Sequence, residues 1–200
     1  VKLSGRGLGI TGGTLDKLSA VPGFRTQLSP SELRDQSMAI GLALGGQTAN
    51  LAPADRFLYA MRDVTGTVPS IPLIASSILA KKVAGGAEVV AIDLKCGSGA
   101  FMHTLGHARA LSDVLIATGE VLGLKVGVTI TDMDQPLGQC AGNALEVIEA
   151  IETLQGKGRQ RVRELCVELC ASTLVLSGTE PDIEAARKRA NHVLHTGEAL

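Results

Sequence analysis

The sequence predicts an α/β protein built on a mostly parallel sheet flanked by helices. Three observations carry this. Glycine is abundant at 24 residues while aromatics make up only 2%, so Leu, Val, Ile and Ala must form the core between many tight turns. Two short β-branched runs, "AEVVAIDLK" (87–95) and "LKVGVTITDM" (124–133), read as buried parallel strands. Helical stretches separate and follow them, and strand–helix–strand succession builds a parallel sheet.

The elements follow in order. The chain opens on a strand-like "VKLS", then a loop with five glycines between Gly5 and Gly13. Ser29, Pro30 and Glu32 form a capping box with Pro at the first helical position. A helix is expected from there to Leu44, closed by Gly45–Gly46. Residues 53–63 read as a short helix. Residues 70–86 read as another, with Ser70 as cap and Gly85–Gly86 as stop. The strand at 87–95 ends in a glycine turn, "CGSGAF" (96–101), and a helix is expected over 104–122. The strand at 124–133 precedes helices at 141–154, 161–176 and 181–195. Functional loops in such folds lie at the carboxyl ends of strands, here residues 4–13, 96–99 and 131–138.

Composition excludes several classes. The net charge is −1, without the basic excess of a nucleic-acid binder, and few aromatics are present to stack on bases. The one basic cluster, "KGRQRVR" (157–163), reads as a solvated helix start. Cys96, Cys140, Cys166 and Cys170 form no C-x-x-C pair, which favours reduced thiols and a cytoplasmic protein. Cys166 and Cys170, four apart, are expected to pack in the core. No apolar run approaches the ~20 residues of a membrane span, and no signal peptide is visible. The chain begins with Val and ends in "HTGEAL", and a partial chain is expected.

Gly7-Leu8-Gly9-Ile10-Thr11-Gly12 fits the dinucleotide pattern G-x-G-x-x-G. Its context argues against that use. The preceding strand is at most four residues long, and the acidic residues at roughly the right distance, Glu32 and Asp35, fall inside the capped helix. Anion binding suits the loop better, because glycine amides approach an anion closely and a helix N-terminus follows. A structural turn explains the glycines equally well. Ser77 and Lys81 project from one helix face, with the alternative that the Lys tip simply reaches solvent. His103 and His107 lack the Glu of a metalloprotease helix, and neither a nucleophile elbow nor a P-loop is present.

Four segments together carry a resemblance: "KLSGRGLGITGGTLDKLSAVPGF" (2–24), "LAPADRFLYAMRDVTGTVPSIPLIASSILAKK" (51–82), "DLKCGSGAF" (93–101) and "TDMDQPLGQCAGNALEVIEA" (131–150). The chain resembles, over nearly its whole length, the thymidine and pyrimidine-nucleoside phosphorylases. The resemblance implies a mixed sheet in an α/β lobe plus a smaller all-α lobe. Residues 1–50 and 87–200 would belong to the α/β lobe, and residues 51–86 would be an excursion into the α lobe. The upstream and C-terminal segments of the family would lie outside this chain.

The implied reaction is reversible phosphorolysis of thymidine- or uridine-type nucleosides to the free base and (deoxy)ribose 1-phosphate. The resemblance assigns phosphate contacts to Lys2, Ser4 and Thr14, and pyrimidine contacts to Arg62, Ser77 and Lys81. Arg62 and Lys81 would also act catalytically, by stabilising the leaving base as an anion. A monovalent cation, potassium, would be held through carbonyls of Leu137 and Cys140 and through Glu149. No organic cofactor is expected, and inorganic phosphate is the co-substrate. The partners would be small molecules, not nucleic acid or membrane. A homodimer is implied for the full-length enzyme but not for this shorter chain. Ile10 departs from the family, where His is common. The alternative reading is a non-catalytic α/β fragment that retains weak phosphate binding.

Overall fold

The computed structural model describes residues 1–5, 7, 12–46 and 52–200, with Asp63 given by its backbone alone. Ile10 and Thr11, in the middle of the glycine loop, lie outside the described residues. The chain divides into two compact units, Val1–Ala87 with Gly142–Val147, and Glu88–Ala141 with Ile148–Leu200.

In the first unit, β1 (Lys2–Ser4) pairs in parallel with β2 (Leu44–Gly46), Leu3 facing Gly45 in register. Period-2 alternation puts Leu3 on one face of β1 and Lys2 and Ser4 on the other. Leu3 joins Leu28, Leu33 and Ala43 in a buried cluster. A parallel pair needs a crossover, here made by α1 (Thr14–Leu18) and α2 (Pro30–Ile40). The capping box forms as expected. The Glu32 N–H donates to Ser29 Oγ at 3.2 Å, and the Ser29 N–H donates to Glu32 Oε2 at 2.8 Å.

One boundary corrects the sequence reading. The α2 helix stops at Ile40, not Leu44. Gly41 adopts φ +77 and its N–H caps the Ser37 carbonyl at 2.9 Å, a left-handed position that glycine takes without strain. Gly45 and Gly46, expected as a helix stop, are strand residues. The Gly46 N–H donates to the Thr26 carbonyl at 2.7 Å, and a Cβ on Gly46 would fall 3.2 Å from that oxygen.

The first unit also holds two helices, α3 (Pro53–Val64) and α4 (Ile71–Ala84), each with Pro in its first turn, where the missing N–H costs nothing. Ala75 and Leu79 of α4 are buried. The end of α4 approaches β1, since a Cβ on Gly85 would lie 3.6 Å from Leu3 Cδ1.

In the second unit, β3 (Val89–Cys96) and β4 (Lys125–Asp132) pair in parallel along eight residues, with α5 (Leu105–Val121) as the crossover. Successive residues of β4 face opposite sides. Val126 packs under Gly119 of α5, and Gly127 lies under Leu176 of α7 (Gln160–Leu176). Helices thus cover both faces of the pair, as an α/β fold requires. The expected fold class is what the chain adopts, with parallel strands in two small sheets among the described residues. Helix α8 (Ile183–Thr196) is tied to α7 by Arg187, which forks onto both carboxylate oxygens of Glu168 at 2.7 and 2.8 Å.

The loops after β3 and β4 are laced together. The Gly99 N–H donates to the Met133 carbonyl at 2.9 Å, and the Ser98 N–H donates to Asp134 Oδ1 at 2.7 Å. The Ser98 amide, and then its hydroxyl, lower the Asp134 carboxyl from its ordinary value.

Two expectations about side chains change. Cys166 and Cys170 are exposed on α7 and not core residues, although their sulfurs are shielded enough that desolvation pushes both thiols up. The basic cluster is not wholly solvated. Arg161 donates to the Asp132 carboxylate at 2.8 Å and to the Asp132 carbonyl at 3.0 Å, closing α7 onto the end of β4. No helix among the described residues is long and apolar enough to cross a membrane.

Candidate active site

Helical spacing builds a polar cluster in the first unit. Ser77 and Lys81 lie one turn apart on α4, and the Lys81 ammonium donates to Ser77 Oγ at 2.6 Å. The same ammonium meets Asp55 Oδ2 at 2.8 Å. Asp55, Tyr59 and Arg62 fall at i, i+4 and i+7 of α3, which is one face of a helix. Tyr59 is the only tyrosine of the chain. Its ring centre lies 5.6 Å from Arg62 Cζ and 5.3 Å from Lys81 Nζ, within cation–π range of both.

Three of its residues are buried, while Tyr59 and Lys81 are half-buried. Relative exposure is 7% for Arg62, 6% for Ser77 and 7% for Asp55. Arg62 is anchored by backbone carbonyls, donating to that of Val68 in the link between the helices and, at 3.4 Å, to that of Leu73 in the first turn of α4. Its Nε is buried with no hydrogen-bond partner. A buried orphan donor is costly in a native site.

The structure therefore gathers Arg62, Ser77 and Lys81, all three of the pyrimidine residues expected from sequence. Asp55 and Tyr59 were missed. Their signal was present in the i, i+4, i+7 spacing that ends on Arg62.

The expected phosphate residues are less closely gathered. Lys2 and Ser4 share one face of β1, while Thr14 opens α1 and is exposed. No hydrogen bond joins Thr14 to Lys2 or Ser4 among the described residues. Lys2 instead meets Lys82, the residue after Lys81. Burial, then the charge of Lys2 and a hydrogen bond with it, and then the charge of Lys81, push Lys82 down to about 8. Two loop amides already have an internal acceptor: Asp16 Oδ2 takes the Gly7 N–H at 2.8 Å and the Gly13 N–H at 3.0 Å. All six residues expected to bind phosphate or pyrimidine lie in the first unit.

The expected cation residues lie in the second unit. Glu149, on α6 (Asn143–Leu154), accepts the Gln139 N–H at 2.8 Å and the Cys140 N–H at 3.1 Å. This brings Cys140 and Glu149 together but leaves Leu137 outside the hydrogen-bonding pattern. Each carboxylate oxygen has two lone pairs, so both keep one for a hard cation. The surroundings also offer a rival positive charge, since Arg159 Nη1 approaches the Gly138 carbonyl at 3.5 Å. No group of three or more His, Cys, Asp or Glu that could hold a metal occurs among the described residues.

Residues 1–200 match the family model described as "Glycosyl transferase family, a/b domain". The chain is 48% identical to the pyrimidine-nucleoside phosphorylases of Staphylococcus haemolyticus (strain JCSC1435) and Geobacillus stearothermophilus. It is 47% identical to that of Staphylococcus aureus (strain USA300). Each match covers 199 residues, all of this chain and 46% of the relative. The chain thus spans about half the length of the curated relatives it matches.

Proposed function

From the premise that the chain belongs to the glycosyl transferase family whose a/b domain it matches over all 200 residues, we propose that it serves a pyrimidine-nucleoside phosphorylase reaction. The substrates would be a thymidine- or uridine-type nucleoside and inorganic phosphate. The products would be the free pyrimidine and (deoxy)ribose 1-phosphate. The observation that carries this reading is the convergence of Arg62 and Lys81 on one aromatic ring, with Ser77 bound to Lys81.

The chemistry asks for such a group. Cleavage of the glycosidic bond leaves positive charge on the sugar and negative charge on the departing base. Cations that face the base gain strength as that charge develops, so they lower the barrier and not only the binding energy. Arg62, held by the carbonyls of Val68 and Leu73, suits a planar acceptor with two oxygens. Lys81 supplies a second cation, and Ser77, which accepts from Lys81, keeps its own O–H free to donate. Lys2, Ser4 and Thr14 would hold phosphate, and Lys82 beside Lys2 adds a further cation. By this reading residues 51–86 present the base-binding group and residues 1–50 the phosphate loop. A potassium ion held by the carbonyls of Leu137 and Cys140 with Glu149 would order the 137–140 loop.

A second reading rests on the length comparison. A chain that spans 46% of its relatives would, as a piece, bind phosphate without turnover. One assay separates the two. The chain is incubated with thymidine or uridine and phosphate, and free base is followed. Phosphate-dependent release supports the enzyme, and its absence from a folded chain supports the fragment. Arg62→Ala with Lys81→Ala is expected to cost about 10²-fold or more in kcat/KM. Activity that survives both substitutions would overturn the proposed roles.

A further inference from the structure

The pyrimidine group contains an acid that the reaction does not obviously need. Asp55 sits one helical turn before Tyr59 and two before Arg62, with its carboxylate 2.8 Å from the Lys81 ammonium and its side chain only 6% exposed. Its presence has a physical reason. Arg62 and Lys81 both lie within 6 Å of the Tyr59 ring, so two cations share a poorly hydrated space and repel each other. A buried charge needs a partner. A lysine has four rotatable bonds and three donors but no fixed direction of its own.

We propose that Asp55 is a positioning residue for the base: it fixes the Lys81 ammonium against Ser77. This inference rests on the pyrimidine reading of the site. Without Asp55 the ammonium loses its carboxylate partner on α3 and keeps only the Tyr59 ring there.

A double-mutant cycle tests it, with uracil as the probe and ligand-observed NMR titration of the full chain as the readout. Asp55→Asn keeps the shape and removes the charge. It is expected to weaken uracil binding about tenfold, and Lys81→Met to do the same. The double variant should bind no worse than Lys81→Met alone, because residues that act through one another are not additive. A merely structural Asp55 would give losses that multiply. Asp55→Glu, which restores the charge, should bind better than Asp55→Asn. If Asp55→Asn alone loses its cooperative unfolding transition, the double variant, which leaves neither charge uncompensated, decides by comparison with Lys81→Met. Multiplying losses, or an Asp55→Asn affinity within twofold of wild type, overturn the inference alone. Failure of uracil to bind the wild-type chain overturns the pyrimidine reading and the inference with it.

Discussion

Ser77 and Lys81 meet across one turn of α4, the ammonium donating to the hydroxyl at 2.6 Å. The direction of that bond matters. A hydroxyl that accepts from lysine must point its own proton elsewhere, and Ser77 is 6% exposed, so that proton needs an acceptor other than bulk water. A pyrimidine carbonyl is the proposed one. Ser77→Ala is therefore expected to weaken uracil about five- to tenfold, the scale of one lost hydrogen bond in a buried site. Folding stability should change by only about 1 kcal/mol. Titration and thermal unfolding of the same variant check both. A variant that loses stability but not affinity would make Ser77 a scaffold residue.

How much of this was legible can be judged from particular residues. The Ser77–Lys81 pair follows from helical spacing alone. So does Ser29–Glu32, because a capping box is local chemistry. Asp55 and Tyr59 share that legibility, but only once Arg62 marks their face of α3. The strand at 44–46 was hidden. Two of its three residues are glycines, which have no side chain to show a period, and what makes them a strand is the distant carbonyl of Thr26 and the partner β1. Cys166 and Cys170 were misjudged for a similar reason. Their spacing gives a shared face, but which face α7 turns to the sheet depends on tertiary packing. Asp16 as acceptor for the loop amides of Gly7 and Gly13 was missed because glycine loops advertise donors, not the acid that fills them.

The Lys82 ammonium offers a prediction with a definite sign. Desolvation by burial, then Lys2 on β1 and Lys81 on its own helix, push it from the ordinary 10.5 to about 8. The folded state thus binds fewer protons than the unfolded chain between these values, so stability rises with pH across that window. Below pH 8 the full penalty is present. Lys82→Met should then raise stability at pH 7 by on the order of 1 kcal/mol, discounted for partial exposure. The gain should fade as pH climbs from 8 to 10.5. Urea unfolding at pH 7, 9 and 10.5 reads this directly. A gain independent of pH would trace to packing and not to charge. Inorganic phosphate should stabilise the wild type more than the variant, since an anion between Lys2 and Lys82 removes the same penalty.

Gly119 decides how closely α5 lies on the sheet. A Cβ there would fall 2.3 Å from Val126 Cγ2 and 3.1 Å from Val126 Cβ. Alanine improves helix propensity by about 1 kcal/mol, but overpacking costs about 1–3 kcal/mol, and the β-branched Val126 has little rotamer freedom to yield. Gly119→Ala is expected to destabilise by up to about 2 kcal/mol net. The added substitution Val126→Ala should return part of that loss by making room. Denaturant midpoints of the single and double variants test it. A stabilised Gly119→Ala would show that helix and sheet separate freely.

The last prediction concerns the 138–140 loop. Glu149 accepts two backbone amides, and a Cβ on Gly138 would lie 2.5 Å from its Oε2. Glu149→Gln keeps the shape but aims an NH₂ at one of those amides, so one N–H loses its acceptor and meets a donor. The expected cost is about 0.5–1.5 kcal/mol, the net worth of one hydrogen bond that water can partly replace. Gly138→Ala should produce a similar loss by pushing the carboxylate away. The two effects should not add, because both break the same contact. The proposed cation gives a separate readout. If Leu137, Cys140 and Glu149 hold potassium, potassium chloride should raise the wild-type Tm above that in tetramethylammonium chloride at equal ionic strength, by binding the native state. Glu149→Gln should abolish the difference. Equal Tm values in the two salts would leave Glu149 as an anchor for the loop amides, with Arg159 at the Gly138 carbonyl.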